Sequence, residues 1–226
     1  MMTKIDIFSG FLGAGKTTLI KKLISDCFKG EKIVLIENEF GEIGIDGGFL
    51  KDAGINITEM NSGCICCSLV GDFGVALKKV LKEFNPDRIL IEPSGVGKLS
   101  DVIKAVKGIG EDELVLNSYT AVVDVNRCKM YMKNFGEFFC DQIKHAECIV
   151  LSHTQNTTEE KLQEAIKLIK AENDDAVIVS TPWDELSCEK LLDAMEGSST
   201  IEKAIHELSH EECPVCHGHH GHHHTH

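Results

Sequence analysis

Apolar positions along the chain alternate between two periods. Short runs rich in Ile and Val occupy Ile5 to Phe8, Ile33 to Ile36, Ile89 to Ile91, Tyr119 to Val123, Cys148 to Leu151 and Val177 to Val179. Runs this short, with β-branched residues dominant, predict strands. Between them Phe73, Leu77, Val80 and Phe84 recur at helical spacing, as do Leu162, Ile166 and Ile169. Thr157 three residues before Glu160 predicts a capping box for that second helix. Strands alternating with helices predict an α/β fold, a mostly parallel sheet with helices on both faces. The periodic pattern weakens after about Gly197, and one domain is expected over residues 1–205. Residues 206–226 end in CPVCHGHHGHHHTH, a change of composition that marks a Cys/His-rich metal-binding tail, expected to be disordered.

Composition narrows the function. A chain of 226 residues with 42% hydrophobic positions suits one domain with a real core. Its net charge of -13, with no basic stripe, would repel a phosphate backbone, so nucleic acid is not an expected partner. The first residues lack the basic and long apolar regions of an export signal, and no apolar run approaches the roughly 18 residues of a membrane span. A cytoplasmic protein is expected, without a membrane partner. In a reducing compartment clustered thiols bind metal or do redox chemistry, whereas isolated ones behave as small buried hydrophobes. Of the ten cysteines, Cys27, Cys128, Cys140, Cys148 and Cys188 are scattered and take the second reading.

Residues 10–18 read GFLGAGKTT between a predicted strand and a predicted helix, and fill the phosphate-loop pattern GxxxxGK[ST]. Gly10, Gly13 and Gly15 let backbone N–H groups point at phosphate oxygens, Lys16 reaches the β and γ phosphates, and the Thr17 hydroxyl suits magnesium. The helix that begins near Lys16 adds its positive dipole end. A P-loop NTPase fold follows. RILIEPSG from Arg88 supplies a second, carboxylate-bearing strand: Glu92 could hold magnesium through water, and Gly95 could offer its N–H to the γ phosphate. Taken alone, a glutamate at a strand end is as readily a solvated boundary.

Residues 63–67 read GCICC. Cys64, Cys66 and Cys67 are too close in sequence for an unstrained disulfide, yet a turn at Gly63 can converge three thiolates on one soft or borderline ion such as zinc. A CxxC redox pair and plain burial are the other readings. Glu37, Glu39, Glu42 and Asp46 follow the second strand, and such a run is usually a solvated face. Here it leaves the carboxyl end of a strand, the edge where open α/β sheets bind ligands, so it could complete the metal's ligand set.

Together GFLGAGKTT, ENEFGEIGID, GCICC and ILIEPSG resemble, in order and approximate spacing over about residues 3–185, the CobW-like GTPases, relatives of the nickel chaperones UreG and HypB. That resemblance implies a slow GTPase that binds GTP and Mg2+ and delivers Zn2+, or Co2+ or Ni2+, to a client metalloprotein. It implies Gly13, Ala14, Gly15, Lys16, Thr17, Thr18 and Gly95 at the nucleotide, with Lys16 and Glu92 in catalysis. It places Thr17 and Asp46 or Glu92 near magnesium, and Glu37, Glu42, Cys64, Cys66 and Cys67 around the transported ion. Cys213, Cys216 and His217 open a tail whose thiols and imidazoles suit the same metals. A homodimer is left open.

Three departures stand out. Where the family reads the base with Asn/Thr-Lys-x-Asp, this chain has Ser152, His153, Thr154 and Gln155, so that His153 and Gln155 occupy the base-reading positions. Gln in place of the carboxylate forfeits a charge-assisted pair worth roughly 2 to 3 kcal/mol, which opens the choice between GTP and ATP. Pro93 stands where the family has Thr, which stiffens the segment and removes a hydroxyl, and many relatives carry a further domain. Only Arg88 and Arg127 exist, and Arg88 begins the strand that Glu92 ends. Without a supplied arginine, turnover of about 10⁻³ to 10⁻⁴ per second is expected. The rival readings are a metal buffer or sensor whose nucleotide only stabilises it, and a small P-loop kinase.

Overall fold

The computed structural model describes residues 2–37, 56–59, 70–109 and 114–196. In chain order they form β1 (Thr3–Gly10), α1 (Lys16–Lys22), β2 (Ile33–Glu37), β3 (Asn56–Glu59), α2 (Val70–Phe84), β4 (Arg88–Glu92), α3 (Leu99–Lys107), β5 (Leu114–Asp124), α4 (Cys128–Lys144), β6 (Cys148–Ser152), α5 (Glu159–Glu172), β7 (Val177–Val179) and α6 (Cys188–Met195). The strands make one sheet in the order β3-β2-β4-β1-β5-β6-β7, and every pair is parallel.

Period-two alternation sorts the strand side chains onto two faces. Val34 and Ile36, Ile89 and Ile91, and Ile149 and Leu151 pack with residues of α2 to α5. Ile33 and Leu35, Leu90, and Cys148 and Val150 pack with residues of α1 and α6. Helices thus cover both faces, as expected. Each fully buried Leu or Ile contributes about 1.5–3 kcal/mol, so the central strands form the rigid part from which the loops project.

Four differences from the sequence reading have physical reasons. The strand β3 was not anticipated, because four residues, NITE, carry too little apolar pattern. The strand β5 begins at Leu114 rather than Tyr119. Its polar Asn117 and Ser118 are satisfied inside the sheet, since Asn117 Nδ2 and Ser118 Oγ each donate to Asp6 Oδ1 at 2.7 Å. The cap of α5 is Thr158, whose side chain accepts from the Lys161 N–H, one residue later than the expected Thr157. Finally, Cys27 and Cys188 are joined in a disulfide and are not the isolated hydrophobes expected, because folding sets α6 against the turn Leu23–Cys27 that extends α1. Cys128 and Cys148 are buried as expected, and Cys140 is half-buried.

Arg88 lies at the opposite end of β4 from Glu92. It is 3% exposed, ion-paired to Asp6, Glu31 and Glu196, and stacked 4.1 Å from the Phe28 ring centroid. This buried network occupies Arg88 structurally and keeps it from the phosphate loop.

Candidate nucleotide site

At the carboxyl edge of the sheet, β1 turns into α1 through residues 11–15, with Gly10, Gly13 and Gly15 all at positive φ. The left-handed Gly15, at φ 98° and ψ 18°, is the N-cap of α1, a conformation costly for other residues. On the neighbouring β4, Glu92 is 5% exposed and meets both residues that follow Gly15. The Thr17 hydroxyl lies 2.9 and 3.0 Å from the two Glu92 carboxylate oxygens, and Lys16 Nζ lies 3.9 Å from Oε1. A cleft of about 560 Å³ opens over them, lined among others by Leu12, Gly13, Gly15, Lys16, Thr17 and Thr18 on one side and by Glu92 and Gly95 on the other. The segment after β4 touches the loop directly: a Cβ on Gly95 would stand 2.9 Å from Leu12 N.

Several expected residues therefore converge, and some do not. Ala14 buries its methyl in the core beside α1, and its N–H donates to the Phe11 carbonyl at 3.1 Å, so it is not part of the cleft lining. His153 is left-handed at φ 60°, with Nε2 4.0 Å from Asp124 Oδ2. Gln155 is exposed in a short turn, Thr154–Asn156. Glu37 ends β2 in register with Glu92 on one side and Glu59 on the other, which sets three glutamates at the ends of three adjacent strands. Glu42, Asp46, Cys64, Cys66, Cys67, Cys213, Cys216 and His217 lie outside the described residues. Among the described residues no group of His, Cys, Asp and Glu is arranged to hold a metal.

Residues 4–180 match the CobW/HypB/UreG nucleotide-binding domain. The chain belongs to that family. Among CobW-family relatives, the zinc chaperone YeiR of Escherichia coli K12 is 35% identical over 72% of this chain and 50% of its own length. The zinc chaperone CobW of a Sinorhizobium species is 34% identical over 66% of this chain and 50% of its own. The crystal structure of the Zn(II)-bound YjiA GTPase of E. coli superposes with a TM-score of 0.57 and 26% identity, covering 79% of this chain and 57% of that one. The chain spans about half the length of the curated relatives it matches.

Three features of this CobW-family site escaped sequence reasoning. Glu59 joins the glutamate row only through the β2–β3 register. Asp124, at the buried end of β5, meets His153 and pairs with Arg127 Nε at 3.5 Å. Trp183, after β7, reaches across to Gly15. Their common signal is position: each lies at or just beyond the carboxyl end of a strand, where open α/β sheets bind ligands. No described helix is long and apolar enough to cross a membrane.

Proposed function

We propose that this CobW-family chain binds GTP with magnesium in the cleft over Lys16, hydrolyses it slowly, and carries a zinc-class metal to a client metalloprotein. One observation carries the reading: Glu37 and Glu92 are paired in register on adjacent strands. The carboxylate beside Thr17 and the first carboxylate of the acidic segment thereby share one sheet edge. Gly13, Gly15, Lys16, Thr17, Thr18 and Gly95 form the phosphate side of the site, and Lys16 neutralises the β and γ phosphates.

The donors around Thr17 fit magnesium. A hydroxyl and a carboxylate within 3.0 Å are hard oxygen ligands, the class that ion takes. Bound there, it would neutralise charge on the phosphate oxygens. Glu92 positions Thr17 and orients the attacking water. Arg88, locked in its buried network, contributes nothing, in keeping with slow turnover.

The cargo site comprises Cys64, Cys66 and Cys67 with Glu37 and Glu42, and Asp46 is assigned to magnesium. The tail residues Cys213, Cys216 and His217 gather the same metal. Nucleotide then alters metal affinity through residues 38–46, which run on from Glu37. Gln155 supports a second reading, a metal buffer with weak base preference, because it offers guanine no carboxylate.

Linkage supplies the test: if GTP changes zinc affinity by some factor, zinc changes GTP affinity by the same factor. Zinc titrations with and without GTP, and the converse, measure both. Lys16→Ala is expected to weaken GTP roughly ten- to a hundredfold and to uncouple the two ligands. Equal zinc affinities with and without GTP would remove the switch.

A further inference from the structure

The nucleoside end of the cleft needs something to hold the base, and Gln155 does not provide the family's carboxylate. Two residues from separate parts of the chain meet at Gly15. A methyl group on Gly15 would stand 3.2 Å from Trp183 Cη2, 3.8 Å from Cζ2 and 3.9 Å from Ser152 Cβ. Trp183 is half-buried, packs on the core beside α1, and opens the short turn Trp183–Glu185. That turn is pinned by the Glu185 N–H to the Pro182 carbonyl at 2.9 Å, and Asp184 lies 4.0 Å from Lys22 on α1. The indole is therefore held at the start of the helix that carries Lys16 and Thr17.

Ser152, the other residue at Gly15, carries a polar group without a partner. Ser152 is 3% exposed, yet its Oγ has no hydrogen-bond partner among the described residues. A buried hydroxyl left unpaired carries a desolvation penalty, which a bound ligand can relieve. An aromatic ring and an unpaired hydroxyl at one corner are the means of gripping a nucleoside: a π-face for the base and a hydrogen bond for its polar edge or the ribose.

We infer that Trp183, which adjoins the cleft at Gly15 outside the lining given above, is the wall of a nucleoside subsite that continues the phosphate cleft, holding a purine ring by stacking while Ser152 supplies a polar contact. The inference rests on the nucleotide reading above. Stacking accepts any purine, so Trp183 supplies affinity that Gln155 forgoes without restoring the preference for guanine.

The protein's single tryptophan makes the test direct. Intrinsic fluorescence is followed while GTP, GDP or inorganic triphosphate is titrated with magnesium, and affinities are measured in parallel by calorimetry. GTP and GDP are expected to change the emission, and inorganic triphosphate to leave it unchanged. Trp183→Leu should weaken GTP about ten- to a hundredfold, leave inorganic triphosphate at the parent affinity, and be largely rescued in Trp183→Phe. Parent-like GTP binding by Trp183→Leu overturns the inference, as does unchanged emission at GTP saturation. Equal loss of both ligands shows Trp183 to be a prop of the loop and also overturns it. A parent that binds neither ligand overturns the nucleotide reading itself.

Discussion

Substituting Glu92 by Gln separates the charge of that carboxylate from its shape. Lys16 Nζ is 3.9 Å from Glu92 Oε1, and both side chains are more than nine-tenths buried. At an effective dielectric near 20 that separation gives a gross attraction of roughly 4 kcal/mol. Much of it is offset, because burying the carboxylate is itself costly and Gln still accepts from Thr17. The net loss of stability should be about 1 to 3 kcal/mol, the range for one charge-assisted bond, read as a lower urea midpoint at unchanged slope. Binding should move the other way. With the carboxylate gone, magnesium-free GTP meets less repulsion and binds more tightly than to the parent, while the gain on adding magnesium shrinks. Hydrolysis should fall by about a hundredfold or more if Glu92 orients the water. Denaturation, calorimetry with and without magnesium, and single-turnover phosphate release read the three effects. A variant that hydrolyses GTP at the parent rate, with the parent's magnesium dependence, would refute the role given to Glu92.

Arg88→Met should cost roughly 3 to 5 kcal/mol, the usual penalty for leaving buried partners such as Asp6 uncompensated, while GTP affinity at the far edge stays the same; a neutral urea midpoint would contradict the network. Burial pushes the Cys128 and Cys148 thiols from 9.0 up to about 12, and the Tyr119 phenol from 10.0 to about 12. The folded chain therefore keeps protons that the unfolded chain releases, and stability is complete below about pH 9 and lost progressively toward about pH 12. Thermal melts across that range, followed by circular dichroism, should show the decline, and a flat profile would argue against burial of these groups. Reducing the Cys27–Cys188 bond, whose partners are 161 residues apart, should lower stability by about 2 to 4 kcal/mol. Cys27→Ser should reproduce the effect without reductant.

Some parts of the site were legible because their chemistry is local. The run from Gly10 to Thr18 needs only its own residues to form a phosphate loop, and Glu92 gained its meaning from that loop, since a carboxylate-bearing strand is expected beside it. The buried Asp6 was not legible as a partner for Arg88, Asn117 and Ser118, since those residues are separated by 82 to 112 positions. Nothing in the residues around Trp183, among them Thr181, Asp184 and Glu185, hints at Gly15.

Amino-acid order alone determined the strand and helix periods, the phosphate loop and the family, because each is written in spacings of a few residues that any backbone of that type must obey. Only the tertiary structure decided which strand ends stand side by side. It set Glu37 against Glu92, Trp183 against Gly15, and Cys27 against Cys188. Those meetings depend on sheet order and register, which arise from the packing of the whole core and leave no mark in any single stretch of sequence.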